Sequence, residues 1–299
     1  MPGRFAPLAR RLILPLLLIH SAAQAEPAAP LPSEARVEAW CDDVGNRLFS
    51  VSARFCKGLG LQPGDSPSVE GRALVRLDRA PGPRQTASSR NGTRAPRVMM
   101  IGGIHGDELT SVSIVFKWLE RLEAHEGADI HWRVIPLANP DGLLMSPSQR
   151  MNARGVDLNR NFDTPDWSRK AMAYWEGRTR RDPRRFPGHE PVSEPETQWL
   201  QREIRDFAPD VIVSIHAPYG VLDFDGPAEE PKRFGRLRLN RLGVYPGSLG
   251  NYGGVFKGVP VITIELPHAT RMPSTRDQQA IWRDMLKWIG QNFVPGNLS

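Results

Sequence analysis

What constrains this chain most is an alternation. Four short apolar runs, Val98–Ile101, His131–Leu137, Val211–Ile215 and Val259–Ile264, are separated by long stretches with helical periodicity. Such runs, bounded by Gly, Pro and Asn, read as strands buried on both faces. Leu109, Val112, Phe116 and Leu119 then fall on one helix face. Ser193-Glu194-Pro195-Glu196 opens another helix, with Ser193 as the expected cap, Pro early and acids in the first turn. A last helix over 274–293 turns Ile281, Met285, Trp288 and Ile289 inward. Strands alternating with helices predict an α/β fold: a mixed, largely parallel central sheet with helices on both faces. With 299 residues, 40% of them hydrophobic, the chain can bury a sizeable core, and its composition excludes a collagen-like or wholly disordered protein.

Chemistry is expected just past the carboxyl ends of those strands, where open α/β sheets place their ligands. Strand 98–101 is followed by Gly103-Ile104-His105-Gly106-Asp107-Glu108, and strand 211–215 by His216. His105 and Glu108, three apart at a strand-to-helix turn, can converge on one ion, and His216 can join them from a separate strand end. Two imidazoles and one carboxylate with an open fourth position form the ligand set of a catalytic zinc, which lowers the pKa of a bound water towards 7. The other histidines beyond residue 25, His125, His131, His189 and His268, show no such pairing. Glu265 closes the run Ile262-Thr263-Ile264 and is expensive to bury without a task; it reads as the general base that takes a proton from that water. The segment from Arg150 to Phe162 holds three Arg and three Asn around a short apolar centre. Beside a zinc site it reads as a substrate clamp, since arginines grip carboxylates bidentately and stabilise developing oxyanions.

The formal charge of +6 raises the question of nucleic acid. Residues 1–25 hold three arginines and no acid, so the rest of the chain carries only +3, and no nucleic-acid partner is expected. Those residues combine Arg4, Arg10 and Arg11, the apolar run Leu12–Ile19 and the small-residue end Ala23-Gln24-Ala25, the pattern of a cleaved export signal. The run is too short to span a bilayer, so no stable membrane insertion is expected after cleavage, and the expected compartment is the periplasm. Cys41 and Cys56 agree: in an oxidising compartment an isolated pair reads as a disulfide. The chain is expected to comprise three segments: the signal at 1–25; a loose lead-in (26–35) and helical cap stapled by the disulfide, together 26–65; and a catalytic domain over 66–299. Residues 78–97 read as an exposed loop. The basic stretch Arg178–Arg185 reads as solvated surface that favours an anionic substrate.

These residues, in this order, resemble the zinc carboxypeptidase family (M14). The matching motifs are His105-x-x-Glu108, Asn139-Pro140-Asp141-Gly142, Gly155-Val156-Asp157-Leu158-Asn159-Arg160-Asn161-Phe162, His216 and Ile264-Glu265-Leu266, with Ser68-Val69-Glu70-Gly71-Arg72 at the entry to the first strand and Ser193–Thr197 also typical. The resemblance spans about residues 66–293. It implies one Zn2+ per chain held by His105, Glu108 and His216, with Glu265 as general base. It implies Asn159 and Arg160 as the pair holding a free substrate carboxylate, and Arg150, with Arg154 as the fallback, as the arginine polarising the scissile carbonyl. For the family's mobile substrate-binding tyrosine, Tyr252 is the first candidate and Tyr245 the next. The interval from His216 to Glu265 is shorter than in digestive carboxypeptidases, so specificity loops are missing or rebuilt; no long inhibitory pro-segment is expected before residue 66.

Within the family, the stretches His216–Gly226 and Pro246–Gly250 resemble the bacterial murein peptide amidases. That branch cleaves the amide between γ-D-Glu and the L-centre of diaminopimelate in peptidoglycan stem peptides. The L-centre carries an α-carboxylate for Arg160, and Asp223 or Asp225 is available for the distal amine. Two other hydrolase readings stand beside this one: an N-acyl-amino-acid deacylase of the aspartoacylase-like branch, and a general metallocarboxypeptidase on ordinary peptides. The intact ligand set and Glu265 argue against a binding module without catalysis.

Overall fold

The computed structural model describes residues 33–82 and 94–293, with Met1 and Gly3. The chain divides after Leu31, and the fold is that of the part from Pro32 onward. The expected signal over 1–25 and most of the lead-in over 26–35 lie outside the described residues, as does 83–93 of the expected loop. No helix among the described residues is long and apolar enough to cross a membrane.

Helix α1 (Ser33–Arg47) buries Val37, Trp40, Cys41 and Val44, the stripe that helical spacing puts on one side. It takes in Ser33–Ala35, which the sequence assigned to a loose lead-in: Glu34 suits a first turn, where the helix dipole favours an acid. Helix α2 (Ala53–Gly58) starts at Ser52, whose Oγ accepts the Phe55 N–H. The Cys41–Cys56 disulfide joins the two helices. Strands β1 (Gln62–Pro67), β2 (Ala73–Arg79) and β3 (Arg97–Ile101) come next, then α3 (Leu109–Glu123) and β4 (His131–Ile135). The expected loop therefore shrinks from both ends, because Asp78 and Arg79 pair with Arg133 and Trp132 on β4, and Arg97 pairs with His131. After β4 the chain forms α4 (Pro140–Leu144), α5 (Trp167–Gly177) and α6 (Pro195–Phe207), then β5 (Val211–His216), β6 (Leu222–Asp225), the small hairpin β7 (Arg233–Phe234) and β8 (Leu237–Arg238), β9 (Val261–Glu265) and α7 (Thr275–Phe293). Ser193 is not the cap of α6. Glu194 holds that position, and the Ser193 hydroxyl donates to the Glu194 carboxylate instead.

The seven-stranded sheet runs β1-β2-β4-β3-β5-β9-β6. Its centre, β4-β3-β5-β9, is parallel, and β1, β2 and β6 join antiparallel. Alternation along each strand splits the core in two. Val98 and Met100, Val213 and Ile215, and Ile262 and Ile264 face a layer containing α1, α3 and α7. Met99 and Ile101, Ile212 and Val261 face a second layer with Trp199, Leu200, Ile204 and Phe207 of α6. The fold is the expected mixed, largely parallel sheet with helices on both faces. The cap shares the first core: Trp40 packs on Phe116 of α3 at 6.4 Å, and β1 carries the sheet across residue 65.

From β3 the chain crosses to β4 on one side and later returns to β5 on the other. The crevice between β3 and β5 is the point where the strand order reverses, and there the functional residues gather.

Candidate metal centre and active site

The turn after β3 is held from below. A Cβ on Gly106 would stand 2.2 Å from the Gly142 carbonyl carbon, so only glycine lets the turn lie against α4. Asn139 caps α4 by accepting the Gly142 N–H, while its amide donates to the Ile104 and Arg150 carbonyls. His105 and Glu108 are thereby fixed on one side of the crevice. His216 is the last residue of β5 and pairs in register with Glu265, the last residue of β9.

These side chains converge. His105 Nδ1 lies 2.7 Å from Glu108 Oε1, and His216 Nδ1 lies 3.1 Å from both Glu108 Oε2 and His105 Nδ1. All three residues are buried, and one ligand atom from each lies within 4.8 Å of the others. The outer nitrogens are engaged elsewhere: His105 Nε2 with Asp157 Oδ1 at 3.1 Å, His216 Nε2 with Ser214 Oγ at 3.0 Å. Such outer partners fix a tautomer whose Nδ1 lone pair points inward, as metal-ligating histidines require. Burial and Arg150 both disfavour a protonated His105, yet Glu108 and Asp157 outweigh them and raise its pKa. Burial likewise resists ionisation of Glu108, and the two imidazoles nevertheless hold it well below the usual carboxylate range. The cluster draws positive charge, and its two nitrogens and one carboxylate suit a zinc ion.

Asp157 carries more of this arrangement than its sequence position suggests. Fully buried between Val156 and Leu158, it accepts from His105 Nε2, from Arg150 Nε (3.0 Å) and Nη2 (2.9 Å), and from the Asn159 backbone N–H. Burial opposes its charge, but Arg150 and His105 keep its pKa far below normal. An acid inside an apolar triplet, which must find partners if buried, was the signal available in the sequence.

A cavity of about 350 Å3 opens over the cluster. Glu265 lines it, and burial pushes its pKa up, with His216 opposing and Glu108 adding to the rise. Arg150, Asn159 and Arg160 line it too. Asn159 Oδ1 accepts the Leu249 N–H at 2.8 Å, leaving the amide nitrogen to the cavity. Arg160 is 5% exposed, stacks under the Tyr245 ring at 4.4 Å and donates to the Asn159 carbonyl. Its Nε finds no partner among the described residues, and burial first, then Arg150 and Arg185, depress its pKa.

Two expected site residues lie elsewhere. Arg154 is out of the cavity and mostly exposed, facing Glu194 at 3.8 Å, because Asn152 accepts the Arg154 and Val156 N–H groups and turns the chain that way. Tyr252 is buried in the second core, its ring 5.5 Å from that of Phe162, within a π-helical turn (Gly250–Phe256). Tyr245 lines the cavity instead, as does Tyr219, which is 60% exposed at the rim. Arg184 and Arg185 also reach the cavity wall, although their stretch read as solvated surface. A 3-10 turn capped by Asp182 presents them, and Arg184 pairs with Asp107 at 2.7 Å. The other motif residues are structural. Asn161 ties down the loop 187–193, and Asp141 joins Ser68, the Glu70 N–H and Arg72 to α4.

With this geometry the comparisons agree. A model of the zinc carboxypeptidase family matches residues 66–224. The protein named murein peptide amidase A from Escherichia coli (strain K12) is 34% identical over 231 residues, covering 75% of this chain and 90% of that protein. The protein of the same name from Vibrio campbellii is 30% identical over 210 residues, covering 68% and 79%. Among solved structures, the murein-tripeptide amidase from Escherichia coli O157 aligns with a TM-score of 0.53 at 24% identity, over 75% of this chain and 91% of that one. Bovine thrombin-activatable fibrinolysis inhibitor aligns at 0.54 and 16%, over 86% and 94%; at these identities both speak for the fold alone. Family model, relatives and a converging His-Glu-His cluster lead to one conclusion: the chain is a metallopeptidase and belongs to the zinc carboxypeptidase family.

Proposed function

We propose that this chain is an exported zinc amidase that hydrolyses peptidoglycan stem peptides at the amide between γ-D-Glu and meso-diaminopimelate. One observation carries the reading: a buried guanidinium with no carboxylate partner among the described residues, Arg160, shares the cavity of the metal cluster and Glu265. A substrate with a free carboxylate next to the scissile amide supplies the missing partner. Two relatives that cover most of this chain are named murein peptide amidase A. Export to the periplasm rests on the N-terminal pattern, and the Cys41–Cys56 disulfide favours an oxidising compartment.

His105, Glu108 and His216 would hold the zinc, which supplies a Lewis acid that activates water and polarises the carbonyl. Arg160 and the Asn159 amide bind the α-carboxylate of the residue on the amine side and so place the scissile bond. Glu265, poised by burial, takes a proton from the attacking water and passes it to the departing nitrogen as the carbon–nitrogen bond breaks. Arg150, locked by two bonds to Asp157, donates to the carbonyl oxygen as it gains charge. Tyr245, stacked on Arg160, closes the carboxylate end.

The test is digestion of defined muropeptides by the zinc-loaded protein, with products identified by mass. Release of diaminopimelate from γ-D-Glu-linked tripeptide is the expected result. Turnover confined to α-linked C-terminal residues would favour the general carboxypeptidase, and turnover confined to acetyl-amino acids the deacylase.

A further inference from the structure

Outside the cavity, positive charge is concentrated on one small hairpin. Of the ten residues 232–241, five are Lys or Arg and none is acidic, whereas a surface that only has to stay dissolved mixes both signs. Strands β7 and β8 pair Arg233 with Arg238 and Phe234 with Leu237. The two apolar residues are buried, with Phe234 6.5 Å from Trp288 of α7, and the two arginines are exposed side by side. Like charges directly opposite each other across a strand pair are destabilising, and among the described residues neither arginine has an ion-pair partner. The hairpin is fixed in this state by α7. Gly235, at a φ of +55°, lets its turn lie on the helix, where a Cβ would stand 3.3 Å from the Ala280 Cβ, and its N–H donates to Asp284 Oδ2 at 2.8 Å.

Helix α7 adds to the same field. Arg276 and Arg283, seven apart and so on one face of the helix, line a groove of about 440 Å3 together with Arg233 and Arg236. The two acids there are engaged: Asp277 faces Arg236 at 3.1 Å and accepts from Ser274 Oγ, while Asp284 takes the Gly235 N–H. The hairpin also runs directly into the substrate cavity. The Asn240 N–H donates to the Leu222 carbonyl of β6, and Leu242, Gly243 and Tyr245 line the cavity wall. A ligand held on the hairpin therefore lies on the approach to the metal cluster.

We propose that the Arg233–Arg238 hairpin, with Arg276 and Arg283, is a docking surface for the carboxylate-rich peptidoglycan polymer, holding neighbouring stem peptides while one of them enters the cavity. The identity of the polymer rests on the amidase reading above. A γ-linked D-Glu keeps a free α-carboxylate, and diaminopimelate acylated on one amine carries two carboxylates against one ammonium, so uncrosslinked stem peptides are anionic. Guanidinium groups match carboxylates in geometry as well as charge. A bilayer surface fits less well, because Phe234 and Leu237 are buried and the hairpin offers no apolar wedge.

The experiment measures co-sedimentation with lipid-free peptidoglycan containing meso-diaminopimelate, using the Glu265→Gln protein so that the polymer is not digested. Adding Arg233→Gln/Arg238→Gln is expected to weaken retention by about tenfold at low salt, as two charge pairs leave a multivalent contact. Raising the salt brings the parent down to the level of the double variant. With Glu265 intact, the double variant cleaves the soluble γ-D-Glu-linked tripeptide with a kcat/KM within about twofold of wild type, since the site lies elsewhere. Its unfolding midpoint does not fall, because a like-charge pair has gone. Arg169→Gln/Arg205→Gln, on exposed arginines of α5 and α6, removes equal charge and changes retention by less than about twofold. No salt-sensitive retention of the parent, an equal loss in both double variants, or a loss confined to phosphatidylglycerol vesicles would each overturn the docking surface. The amidase reading survives all three if the wild type cleaves the soluble tripeptide. Failure to cleave it would overturn that reading and, with it, the polymer named here.

Discussion

The two walls of the cavity are built on opposite principles. On the metal wall every inward group is braced: Asp157 alone receives His105, Arg150 and a backbone N–H, and Ser214 holds the far side of His216. On the substrate wall the groups are left wanting. Among the described residues, Arg160 Nε has no partner and Asp225 accepts no hydrogen bond. A ligand set must not move, so its hydrogen-bonding capacity is saturated from within. A recognition surface must gain on binding, so part of its capacity is reserved for the substrate. The reserved groups are costly while empty, which is the trade between stability and activity seen at binding sites generally.

That contrast can be broken most severely at Glu265, where the walls meet. Glu265→Gln is expected to keep one zinc per chain by metal analysis yet lose about 10²- to 10⁴-fold in kcat; retained turnover would remove it as the base. Next comes Arg160→Met, which should lower kcat/KM by about 100-fold, mostly through KM. The unfolding midpoint should not fall, because a buried charge without a carboxylate partner among the described residues leaves with the side chain. Asp157→Asn tests the braced wall and should behave the opposite way, weakening zinc affinity by about 10- to 100-fold and lowering stability, read by chelator competition and thermal unfolding.

The smallest effect sharpens the contrast through pH. Because burial, then Asp223, push the Asp225 pKa up to about 6, its carboxylate protonates as pH falls below that value. Stability follows. An acid whose pKa is raised by folding has no effect below its unfolded value, destabilises increasingly from there up to about pH 6, and levels off above it. Asp225→Asn should therefore stabilise above pH 6 by on the order of 1 kcal/mol, discounted for solvent screening of a partly exposed group.

How far the molecule could be read in advance depends on the range of the forces. The strands at 98–101 and 211–215 were plain because a strand buried on both faces needs an unbroken apolar run. β6 was not, since Leu222-Asp223-Phe224-Asp225 is an edge strand whose acids face a cavity, and its alternation cannot be told from a loop without its partner β9. The candidate ligands His105, Glu108 and His216 were legible because a metal site draws on a few residue types, here at strand ends. The tyrosine was not: Tyr252 and Tyr245 both sit near glycines, and only packing shows the first in the core and the second over Arg160. Arg184 and Arg185 read as surface because nothing local reveals that Asp107 lies across from them.

The sequence by itself determined the layered α/β fold, the disulfide and the members of the converging His-Glu-His cluster, because each comes from short-range periodicity or from residue types with few uses. The tertiary structure alone decided which way equivalent side chains point. Arg150 and Arg154 are four residues apart and chemically the same, yet Asp157 captures one beside the metal cluster and Glu194 faces the other away from it. It also decided that Asp223 is tied down and Asp225 is not. Both outcomes depend on competition among partners distant in the chain, and that competition exists only once the fold has brought them together.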